Sequence, residues 1–198
     1  MYLSKVLSTV SVDSLSLLVE GNVMTAQIIS GPLESPATEA RNLLQRTVVD
    51  ENNRIQLPID LEKIAEKLKL TVLSAPLDDN IAGFIVQRDK QTPVEMTLNS
   101  GDSAARQRFT CAHEIGHFVK RTKSSQDLIG FVDYRNEISS QGTDPEEIWA
   151  NGFAAELIMP SFAVRQFWAD GHSASSLSKL FGVSQRAMDV RLSALGIS

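Results

Sequence analysis

Residues 110–119 read TCAHEIGHFV, and the reading of this stretch decides the fold. It holds two of the three histidines in the chain, His113 and His117, with Glu114 directly after the first. From Ser103 to about Arg121 the pattern is helical, which puts the motif in mid-helix and not in a loop. Positions i and i+4 of a helix lie about 40° apart around the axis and about 6 Å apart along it. The two imidazoles therefore leave one face, spaced to grip a single tetrahedral ion. Glu114 is set to the side of that pair, where it can take a proton from an activated water without being a ligand. A solvated helix can carry such a motif by chance. The apolar flanks Phe109 and Phe118 and a second acidic helix downstream weigh against that reading.

Catalytic zinc takes three protein ligands and leaves the fourth position to solvent. A third histidine just downstream is excluded, because Phe118, Val119, Lys120, Arg121, Thr122 and Lys123 follow. The ligand must come from another element, and Glu147 in the run EEIWAN fits. Asn151 stands four residues after it, on the same helix face, ready to accept the ring N–H of a metal-bound histidine and fix its tautomer. Glu146 is the rival, turned by about 100°; the Glu-to-Asn spacing favours Glu147. Two imidazoles and a carboxylate accept Zn2+ or Mn2+, and ligand chemistry favours one Zn2+.

Outward from the motif, the chain alternates clear helix signals with short strands. Ser35 and Pro36 open a helix to about residue 48, and Asp60 caps a second over LEKIAEKL. Strand-like runs at 70–75, 81–87 and 94–99 are separated by turn formers, which predicts a small, largely antiparallel sheet. Residues 122–145 are polar and irregular around one apolar patch, LIGFVDY. Asp144 and Pro145 then start the EEIWAN helix, Pro160 stops it, SFAVRQFWAD forms another, and two short apolar helices flank Gly182. The fold class is α+β, with residues 1–35 an extension read as flexible, 36–172 the main domain and 173–198 a helix-turn-helix-like pair packed on it.

The chain has 198 residues, enough for one full core. With 42% hydrophobic and 22% charged residues it reads as globular. A net charge of −5 argues against a broad nucleic-acid or anionic-membrane surface, which needs clustered cations. The single cysteine, Cys111, rules out an internal disulfide framework and thiolate-held zinc. No signal peptide is read, and no segment approaches the roughly 20 apolar residues of a membrane span; a cytoplasmic protein is expected.

The blocks RQRFTCAHEIGHFV, EEIWANGFAAELIMP and LFGVSQRAMDVRLSALG, in this order, strongly resemble the ImmA/IrrE family of metallo-endopeptidases over roughly residues 36–198. The resemblance implies a zincin-like fold with His113, His117 and Glu147 on zinc and Glu114 as base. It also implies a protein substrate, a helix-turn-helix transcriptional repressor often encoded nearby. Cutting or inactivating that repressor would release genes of a mobile element or stress response. No added sensor domain is recognised after the peptidase core.

Four further residues are candidates with ordinary alternatives. Asn99 ends a strand at a position resembling the edge where zincins align an extended substrate, and is equally a turn residue. Tyr134, Arg135 and His172 are candidate oxyanion stabilisers, though none has a spacing that ties it to the metal. Cys111 reads as a small core residue. The C-terminal pair raises a reading from another class, a DNA-binding or repressor-binding regulator acting without proteolysis. The helix that would act as its recognition helix offers only Arg186 and Arg191, offset by Asp189, so direct DNA binding is disfavoured.

Overall fold

Ser35, Asp60, Ser103, Asp144, Ser173 and Ser184 each accept a backbone N–H at the start of a helix, satisfying donors that no helical carbonyl reaches. The helices they open are α1 (Pro36–Thr47), α2 (Leu61–Lys67), α3 (Ala104–Lys123), α4 (Pro145–Ile158), α6 (Ala174–Phe181) and α7 (Gln185–Ala194); α5 (Ser161–Ala169) follows Pro160. The computed structural model describes residues 8–11, 28–89, 91–124 and 144–197. Gly182 closes α6 with φ +67°, the left-handed conformation that glycine adopts without strain.

The strands form two small sheets among the described residues. β1 (Ser8–Ser11) pairs antiparallel with β2 (Arg54–Leu57), placing Val10 opposite Ile55. Both side chains are buried. Sequence reading identified neither strand, and the segment set apart as an extension contributes Val10, Ile28 and Ile29 to the core. The second sheet has the order β3–β5–β4, from β3 (Leu70–Ala75), β4 (Gly83–Val86) and β5 (Val94–Asn99). It is mixed rather than largely antiparallel: β4 pairs antiparallel with β5, but β3 pairs parallel with it. The reason is topological. After β3 the chain turns back as β4 two strand positions away, and β5 fills the place between them along β3's direction.

α3 packs between this sheet and α4. Every residue from Thr110 to Val119 is buried, so the middle of α3 has no solvent face. The core continues into the C-terminal pair through Leu177, Phe181, Met188 and Leu192, which belong to the same apolar cluster as Ile115 and Phe153. The chain is therefore α+β, with helices packed on small sheets around one described core.

Ion pairs on two buried carboxylates, Glu39 and Glu156, tie the layers. Lys123 Nζ lies 2.7 Å from Glu39 Oε1, joining the end of α3 to the start of α1. Glu156, on α4 and 3% exposed, binds the Arg191 guanidinium from α7 and Arg41 at 3.4 Å from α1. Ser161 adds its hydroxyl at 2.8 Å and its amide at 3.2 Å, while Arg191 Nε also donates to Met159 O at 3.0 Å. Removing one member of such a group strands a charge out of water. Glu156→Ala is accordingly expected to cost about 3–5 kcal/mol of unfolding free energy, read from urea denaturation. A cost below about 1 kcal/mol would show that Arg191 simply swings out to solvent.

Candidate metal centre

Two neighbouring turns of α3 and the first turns of α4 supply the site. Gly116 makes their approach possible: a Cβ there would stand 3.0 Å from Phe153 Cδ1 and 3.4 Å from Ala150 Cα. With hydrogen alone at that position α4 lies close enough for its acidic first turn to reach the imidazoles. Phe153 is held in turn by Trp149, stacked on it at 5.4 Å, and Lys120 lies over the Trp149 ring.

The structure brings His113, His117 and Glu147 together. His113 Nε2 and His117 Nε2 are 2.9 Å apart; Glu147 Oε2 is 3.3 Å from the first and its Oε1 3.0 Å from the second. Among the described residues this is the one group of three or more His, Cys, Asp or Glu side chains with converging donor atoms. All three residues are buried, at 0%, 1% and 6% exposure. Glu146, the rival, lies outside the trio and pairs with Arg121 of α3 at 3.2 Å.

Two imidazole nitrogens and a carboxylate fit one divalent cation. Donors at 2.0–2.1 Å from a tetrahedral ion stand about 3.3–3.4 Å apart, so the trio would open by only a few tenths of an ångström around it. His113 Nδ1 lies 3.0 Å from Asn151 Oδ1. With Nδ1–H donating to that oxygen, Nε2 keeps its lone pair for the ion. Glu114, 1% exposed, sits beside His113 on α3 and outside the trio.

If the ion is held as described, Asn151→Ala leaves all three donors in place but frees the His113 ring. Metal affinity is expected to fall about 10–100-fold, measured by competition with a chromogenic chelator; an unchanged affinity would remove Asn151 from the site.

The remaining sequence candidates lie elsewhere. Asn99 is on the central strand β5, not on an edge. Its buried amide donates to the carbonyls of Leu77, Asp78 and Ile81 and accepts from the amides of Leu77 and Gly101, which makes it an anchor for the β3–β4 loop. His172 is exposed in the α5–α6 link, edge-on to Phe167 at 5.3 Å and 3.4 Å from the Ser176 hydroxyl, and is not part of the trio. Tyr134 and Arg135 lie outside the described residues. Cys111 is 6% exposed, and burial pushes its thiol up to about 12 against the opposing pull of Arg108, the property of an inert core residue. Burial likewise lowers the Arg108 guanidinium from its usual value.

Sequence reading passed over Gly116 and Glu156. Each left a signal: a glycine inside a buried helical motif points to close helix packing, and a carboxylate within the apolar run AAELIMP needs a partner.

A family model for the IrrE N-terminal-like domain, Peptidase M78, matches residues 65–193, a span that includes both site helices and the C-terminal pair. The chain belongs to the Peptidase M78 family. A metallopeptidase family implies a metal ion, and in this M78 chain the His113–His117–Glu147 group can hold one. A relative, the "Uncharacterized immunity region protein 2" of Bacillus phage phi105, is 28% identical over 105 residues. The match covers 53% of this chain and 61% of that protein's length. No helix among the described residues is long and apolar enough to cross a membrane.

Proposed function

We propose that this M78 protein is a zinc endopeptidase of the cytoplasm that cleaves a helix-turn-helix repressor, derepressing genes of a mobile element or stress response. The observation that carries the reading is the convergence of two imidazole nitrogens and one carboxylate from α3 and α4, within 3.3 Å of one another and buried. The phage relative's name adds support for a role in immunity regulation. Residues 36–172 do the chemistry on this reading, and the C-terminal pair supports α4.

His113, His117 and Glu147 would hold the ion, with Asn151 orienting the His113 ring. A zinc ion held there supplies Lewis acidity, which acidifies water and polarises a carbonyl oxygen. Glu114 takes the proton of the attacking water and delivers it to the leaving amine. An extended substrate aligns along the outer edge of β4, which has no strand partner among the described residues and runs against α3: a Cβ on Gly83 would meet Thr110 Cγ2 at 2.7 Å. Burial of the trio keeps competing water from the donor atoms.

Incubating purified protein, Zn2+ and the repressor encoded beside its gene is expected to yield two repressor fragments. A chelator should stop the cut and added Zn2+ restore it. An intact repressor that nonetheless releases its operator would favour a binding mechanism instead. Direct DNA binding by the C-terminal pair is a poorer fit, since Arg191 is turned inward onto Glu156 and Met159. Of the two cations on α7, only Arg186 remains on the surface.

A further inference from the structure

Asn151, whose Oδ1 meets His113 Nδ1 at 3.0 Å, also lines a cavity of about 500 Å³ between α4 and α7. Phe109, Ala155 and Met159 form its floor, and Ala187, Val190 and Ala194, spaced at i, i+3 and i+7 on α7, form its outer wall. Val190, 63% exposed, gives the cavity an apolar side chain within reach of solvent. Its volume is in the range of small-molecule sites, which combine an apolar body with few polar groups.

The charged groups here are of one kind, beside the uncharged Ser184 and Asn151. Arg186 and Arg191 line the cavity and no carboxylate does. Arg191 is neutralised by Glu156, whereas Arg186 has no ion pair among the described residues. Asp189, the acid of the same helix, is bonded to Gln185 and does not line the cavity. One uncompensated guanidinium over an apolar floor, in a protein of net charge −5, selects an anion joined to an apolar body. Asn151 also lines the cavity, and its Oδ1 is engaged by His113, which leaves its amide N–H groups to donate to such an anion.

We propose that this cavity is an effector site for a small amphiphilic carboxylate, its chain against Phe109, Met159 and Val190 and its carboxylate on Arg186 and the Asn151 amide. Because Asn151 touches both the ligand and His113, occupancy and metal binding are linked, and the linkage is reciprocal. The cavity and its charge stand without the peptidase reading; only the linkage rests on it.

Octanoate is the probe, with octanol and octylamine as controls of the same chain. Calorimetry on the full chain should give saturable one-to-one binding of octanoate, about tenfold tighter than octanol, with octylamine weakest. Arg186→Glu should weaken octanoate at least about tenfold and leave octanol unchanged, whereas Val190→Asp should weaken both. Both positions are exposed, so unchanged melting temperatures should accompany these losses. No saturable octanoate binding, equal binding of acid and alcohol, or octanoate binding indifferent to Arg186→Glu would each overturn the site. Saturating octanoate should change zinc affinity in chelator competition, and this change should vanish in Asn151→Ala; a zinc affinity indifferent to octanoate overturns the linkage. Failure of repressor cleavage with octanoate still bound on Arg186 would count against the peptidase reading alone.

Discussion

Replacing Glu114 with glutamine is expected to lower the rate of repressor cleavage by about 10²–10⁴-fold, the usual contribution of a positioned acid–base group, while metal content stays at that of the parent. Glutamine has nearly the same shape, so the buried position beside His113 should accept it without repacking. It cannot take up the proton of the attacking water, and that is the step removed. The trio of donors does not include residue 114. Rate and metal stoichiometry must therefore separate. Single-turnover cleavage with metal analysis on the same sample tests this: a variant that cuts within a factor of ten of the parent would take the general-base role from Glu114, and one that loses its metal would make Glu114 a structural support instead.

The second large effect belongs to Glu147. Its alanine variant keeps both imidazoles but loses the one anionic donor, so zinc affinity is expected to fall by more than the 10–100-fold typical of an outer-sphere partner. Cleavage should fall with metal occupancy. Glu146→Ala is the matched control, since its carboxylate pairs with Arg121 at 3.2 Å and lies outside the trio. Affinity measured by chelator competition should leave Glu146→Ala at the parent value. Equal losses in the two variants would mean that the acidic first turn acts on the ion through its charge and not through coordination.

Much of this was legible from neighbours in the chain. The spacing of His113 and His117 places two imidazoles on one helix face, and the four-residue step from Glu147 to Asn151 does the same on α4. Helix starts were legible because a capping side chain acts on an amide two or three residues away: Ser35 on Thr38, Asp60 on Lys63, Asp144 on Glu146. Asn99 shows the limit. Its place at the end of a strand could be read, but whether that strand was edge or centre depended on where β3 and β4 settled, and its amide found its partners at Leu77, Asp78 and Ile81.

The sequence by itself determined the helices, their caps, and the three side chains capable of holding an ion, because each follows from geometry within one or two turns. Only the tertiary structure decided that Val10 would pair across from Ile55, that β5 would enter the sheet beside a parallel β3, and that Arg191 would turn inward to Glu156. Those outcomes join residues far apart in the chain. They depend on which apolar faces bury one another, a competition that no local pattern records.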